Sequence, residues 1–222
     1  MNIDGLYTHD KMSLRQVVIN YIYQAIIDKK YKPREHITET SLSNKLSISR
    51  APVREALSEL VAVGILIKVD RVGIFLNTIT PAQVLDTYHT KGLVEGYLSN
   101  DFMREHDKED IILLENIVTN MKQDILNDGE NQIDIGTKFH KSVLKYSYNK
   151  VLLNTLDQVN IKSKLLFFEN WSKLYSKQNI IDRHQVIIDS IKSKNAKKVE
   201  RAIRDHYIQT GKKIAKLVEK NI

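Results

Sequence analysis

The chain has 222 residues, 42% hydrophobic and 27% charged, which is the composition of a globular protein with one or two domains. It contains no cysteine, which excludes disulfides, thiolate metal sites and cysteine nucleophiles. The net charge of +7 is compatible with nucleic-acid binding, although the basic residues are spread along the chain. The first ten residues form no secretory signal, and no segment has the roughly 20 apolar residues of a membrane helix, so we expect a cytoplasmic protein without a membrane partner.

The N-terminal region has the pattern of three helices. Apolar residues recur at helical spacing over residues 13–28, and a short second helix is predicted over residues 38–47. Both segments begin with a hydroxyl residue suited to the N-cap. A third helix is predicted over residues 49–64. Pro52 lies in its first turn, where the missing N–H costs nothing, and Gly64 is a suitable end.

Two short β-prone segments follow the third helix. ILIKV (residues 65–69) and GIFLNTI (residues 73–79) predict a two-stranded wing. Two helices joined by a short turn and followed by a hairpin form a winged helix-turn-helix, whose second helix enters the DNA major groove. Arg50 and Arg54 lie near the start of that helix, where guanidinium groups bond to guanine edges or phosphates. They are alternatively solvated surface charges, but the order of the elements favours DNA binding.

One run in this region resembles a known signature. SRAPVREAL (residues 49–57), followed by Leu60 and Gly64, resembles the signature of the GntR family of transcriptional regulators. The resemblance implies a winged helix-turn-helix domain over residues 1–78 that binds double-stranded operator DNA. It implies that the third predicted helix contacts DNA through Ser49, Arg50, Ala51, Pro52 and Arg54. It also implies a contact at Thr40, where many relatives have a basic residue, and contacts from Arg71 and Gly73 in the wing that approaches the minor groove.

From Thr80 onward the pattern is helical. Thr80 is a suitable N-cap, and Pro81 fits the first position of a helix. We predict six helices, over residues 80–105, 107–127, 132–147, 150–173, 177–193 and 195–220. The sequence therefore predicts a mainly α chain whose second domain, residues 79–222, is an all-helical antiparallel bundle.

Three of the seven histidines lie on the apolar faces of different predicted helices: His140, His184 and His206. A single buried histidine is usually a hydrogen-bonded core residue. Three of them in one small bundle can instead bind one cation together, and imidazole nitrogens suit zinc, nickel, copper or iron. The sequence therefore predicts a divalent transition metal, with core packing as the alternative.

The surroundings of these histidines also resemble a known domain. KFH (residues 138–140), DRHQVI (residues 182–187) and RDH (residues 204–206) resemble the three histidine positions of the FCD effector domain, found in the FadR subfamily of GntR regulators. The resemblance implies a metal that binds a carboxylate effector directly. Gly136 stands where relatives place an Asp or Asn ligand, which leaves water, the effector or no group as the fourth ligand. Lys91 stands where relatives place an effector-binding Arg, and it keeps the charge but loses the bidentate fork.

We therefore expect a DNA-binding transcriptional repressor that is controlled by a small acidic metabolite. Paired recognition helices read two half-sites, so the regulator is expected to be a homodimer. One alternative is a DNA-binding metal sensor without an organic effector, and another is a metal-dependent hydrolase. Because the sequence has no HExxH motif, no GxSxG motif and no phosphate-binding glycine loop, we expect no catalytic residues and no enzyme activity.

Overall fold

The computed structural model describes residues 12–127 and 132–220, and the side chains of these residues except 132–134, 164 and 167–173. The chain divides into two compact units, Met1–Ile79 and Thr80–Ile222. Most of the described residues are helical, which confirms the predicted fold class. In the described ranges no helix is long and apolar enough to span a membrane.

Three helices form the body of the first unit. They are α1 (Leu14–Ile27), α2 (Glu39–Leu46) and α3 (Arg50–Ala62). Ser13 and Thr38 cap α1 and α2 by accepting hydrogen bonds from backbone N–H groups, as their hydroxyl groups predict. The apolar faces of the three helices pack into one core that excludes water almost completely: Val18, Ile22, Leu42, Val53, Leu57 and Leu60.

The wing contains one strand more than the sequence predicts. Strands β1 (His36–Ile37), β2 (Leu66–Val69) and β3 (Gly73–Leu76) form an antiparallel sheet in the order β1-β3-β2. A two-residue strand is too short to show alternation in the sequence. Strand β3 ends at Leu76 and not at residue 79, and just beyond this end the side chain of Asn77 donates a hydrogen bond to the carbonyl of Gly64.

The second unit is a bundle of long helices. In the described ranges it contains α4 (Pro81–Glu105), α5 (Lys108–Leu126), α6 (Gln132–Val143), α7 (Lys150–Leu174), α8 (Lys177–Lys192) and α9 (Ala196–Lys220). Thr80 forms a complete capping box with Gln83 at the start of α4. Helix α6 ends four residues before the predicted residue 147. The following turn allows Tyr146 to bond to the carboxylate of Asp110, and Ser147 to bond to the carbonyl of Leu98.

Glycines allow α4 and α9 to pack closely. A Cβ atom at Gly92 would lie 3.1 Å from the carbonyl oxygen of Arg204, and one at Gly96 would lie 3.0 Å from that of Glu200. On the opposite helix, a Cβ atom at Gly211 would lie 2.5 Å from the Cβ atom of Tyr88, which is too close for two carbon atoms. This packing brings the inner faces of α4 and α9 into direct contact.

We predict that Gly211→Ala lowers the free energy of unfolding by about 1–3 kcal/mol, because the added methyl group overpacks the contact with Tyr88. In an unobstructed helix the same substitution is stabilising by roughly 0.5–1 kcal/mol, so the expected sign is opposite to that of helix propensity. Urea unfolding measures the change. A variant that is more stable than the wild type would contradict the close contact.

Candidate functional site

The first candidate site is the exposed face of α3. Ser49, Arg50, Ala51 and Arg54 are exposed, whereas Val53 on the opposite side is fully buried. Pro52 is partly buried. Ser49 occupies the N-cap position, but its side chain makes no capping hydrogen bond. The hydroxyl of Ser49 therefore lies beside the exposed N-terminus of the helix, where a phosphate group is favoured.

Arg54 has an acidic partner that the sequence does not predict. Its Nε and Nη2 atoms donate to the two carboxylate oxygens of Glu39 on α2, at 3.0 and 2.9 Å. The hydrogen bond from Arg54 lowers the pKa of Glu39 below its usual value. This pair holds Arg54 in one orientation on the exposed face. In the described part of the chain Arg50 has no hydrogen-bonded acidic partner, so the two arginines differ in their freedom.

The wing places two further predicted residues at an exposed turn. Arg71 is exposed and has a φ of 61°, in the left-handed region. Gly73 has a φ of 142°, and a Cβ atom there would lie 2.2 Å from Nε2 of His36. The backbone at this position therefore requires glycine. Thr40 is exposed on α2.

The second candidate site is a cluster of the three predicted histidines. His140, His184 and His206 come from α6, α8 and α9, and each offers one ligand atom within 4.8 Å of the others. Their ring centroids lie 5.0 to 5.4 Å apart. The structure thus brings together three imidazoles from three different helices.

At least one nitrogen of each of the three rings lacks a hydrogen-bond partner in the described part of the chain. Nδ1 of His184 donates to the carbonyl of Ile180 at 2.7 Å, which leaves Nε2 as the acceptor. Nδ1 of His140 bonds to Oε1 of Glu95 at 2.5 Å, which leaves Nε2 of His140 without a hydrogen-bond partner in the described part of the chain. Nδ1 of His206 is buried and has no partner. Such nitrogens are the atoms that bind a metal ion.

Two of the three rings, those of His184 and His206, favour the neutral form. Burial, followed by the nearby His140, lowers the pKa of His184 to about 3. Burial and the charge of Arg183 lower the pKa of His206 well below its ordinary value. The neutral form is the one that binds a metal ion, so no proton has to be displaced from these two rings at neutral pH.

Glu95 and Tyr207 adjoin the histidine cluster, and neither residue is predicted from the sequence as part of the site. Burial raises the pKa of Glu95, but the opposing effects of His140, Lys91 and Tyr207 are larger, so the net shift is downward. The hydroxyl of Tyr207 donates to Oε2 of Glu95 at 2.9 Å. The available signal was the spacing of four residues between Lys91 and Glu95, which places both on one face of α4.

Lys91 lies beside this cluster. Its Nζ atom is 3.3 Å from Oγ of Ser163 and 4.6 Å from the ring centroid of Tyr207. Burial lowers the pKa of Lys91, and the charge of Glu95 opposes that shift. The lysine is therefore a positive group on the inner side of α4, and not an ordinary surface lysine.

Gly136 lies directly against the histidines. A Cβ atom at this position would be 3.5 Å from Nε2 of His184. A side chain here would therefore point at the ring nitrogen of His184 that has no partner. Because the residue is glycine, it supplies no ligand, and space remains beside that nitrogen.

A winged helix-turn-helix unit joined to a helical unit with an internal polar site defines a DNA-binding regulator. Two family models match the chain, the FCD domain over residues 86–209 and the bacterial regulatory proteins of the gntR family over residues 14–76. The chain belongs to the gntR family and carries an FCD domain, and it is a DNA-binding transcriptional regulator.

Several curated proteins are similar to the chain. The uncharacterized HTH-type transcriptional regulator YdhC of Bacillus subtilis is 27% identical over 190 residues, which cover 85% of each chain. The Nta operon transcriptional regulator of Aminobacter aminovorans is 25% identical over 155 residues, 69% of this chain and 72% of the other. The gluconate operon transcriptional repressor of Bacillus licheniformis is 24% identical over 189 residues, 82% and 76%.

Solved structures share the fold. The structure of E. coli McbR/YncC matches with a TM-score of 0.70 at 16% identity and covers 95% of this chain and 99% of the other. The structure of Lar, which controls the Listeria monocytogenes agr system, matches with a TM-score of 0.61 at 17% identity, over 94% and 100%. At these identities the likeness concerns the fold alone.

We predict that the chelator-treated protein is less stable at pH 5 than at pH 7. The pKa of His184 is about 3 in the folded state, against about 6.5 for an unfolded histidine, so the unfolded state binds more protons between these values. The contribution of neutral His184 to the free energy of unfolding is therefore fully present above about pH 6.5 and is lost as the pH falls toward 3. Urea unfolding at each pH measures it.

His184→Gln is expected to make this pH dependence shallower. His89→Gln is the matched control, because His89 is exposed on α4 and lies outside the cluster. An equal effect of both substitutions on the pH dependence would contradict the assignment to His184.

Proposed function

We propose that the chain is an operator-binding repressor controlled by a small carboxylate, which binds in the helical unit through a transition metal held by His140, His184 and His206. The observation that carries this proposal is the convergence of one ligand atom from each of three helices within 4.8 Å. The hydrogen bonds of Ile180 and Glu95 orient two of the rings for this role.

The first unit supplies the DNA contacts. In this proposal residues 1–78 form the DNA-binding domain, with α3 in the major groove and the Arg71 turn near the minor groove. Arg50 reads a base or a phosphate, and Arg54 is oriented by Glu39. The exposed Ser49, Ala51 and Thr40 lie along the same surface, with Pro52 and Gly73 shaping the backbone.

The second unit, residues 79–222, binds the effector and forms the homodimer. When bound, a divalent ion such as zinc or nickel supplies a Lewis-acid centre for an anionic oxygen. Gly136 contributes no ligand, so an effector carboxylate can supply the fourth ligand of the ion. Lys91 offers it a positive charge from α4.

The names of relatives support both the proposed control of an operon and the proposed carboxylate effector. Two of them are named as a repressor of a gluconate operon and a regulator of the Nta operon. Gluconate is a carboxylate, which suits the chemistry of a histidine-bound metal with a lysine beside it. A homodimer in the cytoplasm, bound to an operator with two-fold symmetry, is the corresponding assembly.

Control of DNA binding follows from differential affinity. An effector shifts a conformational equilibrium only by as much as it binds one state better than the other. The effector is therefore proposed to favour an arrangement of the dimer that has weaker affinity for the operator. By linkage, operator DNA lowers the affinity for the effector by the same factor.

Fluorescence anisotropy with DNA fragments from beside the gene tests the proposal at physiological salt. Metal-loaded and chelator-treated proteins are compared, with and without carboxylates such as gluconate and citrate. We expect specific operator binding that weakens when a carboxylate is added to the metal-loaded protein only. His184→Ala should abolish this response, and His89→Ala should retain it.

Other results would change the assignment. Binding no stronger than to random DNA would overturn the operator assignment. A response to metal alone, and to no carboxylate, would favour the metal sensor. Metal-dependent turnover of an ester, amide or phosphate that is lost in His184→Ala would favour the hydrolase.

We predict that Arg50→Ala weakens specific operator binding by about 1–3 kcal/mol, which is the loss expected when an exposed arginine at the start of α3 no longer contacts a base. Lys108→Ala is a matched control, since this exposed lysine lies at the start of α5 in the second unit. Anisotropy titration measures both. An operator affinity that Arg50→Ala leaves unchanged would contradict the role of Arg50.

We predict that Glu95→Gln weakens metal affinity by about 10- to 100-fold, because the substitution removes the charge that orients His140 and increases its basicity. Competition with a chromophoric chelator measures the affinity. Glu105→Gln is the control, as Glu105 is exposed near the end of the same helix. Equal affinities of wild type and Glu95→Gln would show that Glu95 does not support a metal ligand.

A further inference from the structure

Two cationic side chains share one aromatic ring in the helical unit. The guanidinium carbon of Arg183 lies 4.3 Å from the ring centroid of Tyr175, and Nζ of Lys213 lies 3.8 Å from it. The three residues come from α8, α9 and the C-cap of α7. We call them the Tyr175 cluster. Neither cation was selected from the sequence.

The hydrogen bonds of the two cations go to neutral acceptors. Arg183 donates to Oε1 of Gln209 at 2.8 Å, to Oγ1 of Thr210 at 2.9 Å and to the carbonyl of His206. Lys213 donates to the carbonyl of Leu174 at 2.9 Å. In the described part of the chain neither residue forms an ion pair. Their positive charges are therefore oriented but not neutralised.

This arrangement is electrostatically unfavourable without an anion. Two like charges next to one ring repel each other, and partial burial of Arg183 removes some of its hydration. An oxyanion between the two groups would offset both effects. Lys213 is exposed, so an anion can approach it from solvent.

The Tyr175 cluster adjoins the histidine cluster. Arg183 directly precedes His184 in α8 and donates to the carbonyl of His206 in α9. The hydroxyl of Tyr175 lies 3.2 Å from Oγ1 of Thr210, which is one helical turn beyond His206. The two clusters therefore share the α8–α9 contact.

We propose that Arg183 and Lys213 form an oxyanion subsite that receives the second acidic group of an effector, while the histidine cluster receives the first. This inference rests on the proposed function and narrows its effector class to molecules with two acidic groups. The regulator should therefore distinguish a dicarboxylate from a monocarboxylate of similar length.

Inorganic phosphate tests the subsite without the metal. Isothermal titration of chelator-treated protein with phosphate is expected to show binding that Lys213→Gln weakens about fivefold or more, because a charge-assisted contact is lost. Lys212→Gln is the matched control: it removes the same charge from the neighbouring exposed position of α9. Since Lys213 is exposed, this variant is expected to fold. No phosphate binding, or equal weakening by both variants, would overturn the subsite.

A carboxylate series tests the second acidic group. Metal-loaded protein is titrated with α,ω-dicarboxylates from malonate to adipate and with monocarboxylates of the same chain lengths. We expect at least one dicarboxylate to bind about tenfold or more tighter than its monocarboxylate partner, and Lys213→Gln to remove that preference. A preference that persists in Lys213→Gln, or carboxylates of both types that bind with equal affinity, would overturn the inference.

The two titrations separate the possible failures. If phosphate binding depends on Lys213 but no carboxylate of either type binds, the oxyanion subsite is supported and carboxylate control of the regulator is contradicted. If a monocarboxylate binds and weakens operator binding but phosphate binding does not depend on Lys213, the proposed function is supported and the subsite is contradicted.

Discussion

The buried bond between Glu95 and His140 is the interaction on which the helical unit's site depends. Through it a carboxylate of α4 orients an imidazole of α6, and Tyr207 of α9 binds the second carboxylate oxygen. A buried carboxylate needs such partners, because an uncompensated charge in the interior is costly. The close packing of α4 against α9, which their glycines allow, brings Glu95 within hydrogen-bond distance of Tyr207. The result is a polar centre in which His140, His184 and His206 each have at least one ring nitrogen without a hydrogen-bond partner in the described part of the chain.

In both units, local sequence patterns predict the helices, whereas contacts between residues distant in the chain determine several features that the sequence does not predict. Helix limits in the described ranges follow the sequence closely where a cap is present, as at Thr80. The strand at His36 and the early end of α6 near residue 143 were not predicted, because both depend on partners distant in the chain. The pair between Glu39 and Arg54 joins two helices and likewise leaves no periodic signal.

The candidate metal site illustrates the same division. Helical periodicity placed His140, His184 and His206 on inward faces, and the structure brings them within reach of one ion. Periodicity cannot say which nitrogen of each ring is already used, since those bonds go to Ile180 and Glu95. Nor can it show that Gly136 faces the cluster or that Arg183 meets the ring of Tyr175, because such contacts require the relative placement of whole helices.

The most direct measurement for the central claim is elemental analysis by plasma mass spectrometry, on untagged protein purified without chelator. We expect about one equivalent of a divalent transition metal per chain, because three imidazoles converge on one point. Protein that contains no metal, and takes up none when zinc or nickel is added, would contradict it. The histidines would then be polar core residues, and the DNA-binding assignment would rest on the winged unit alone.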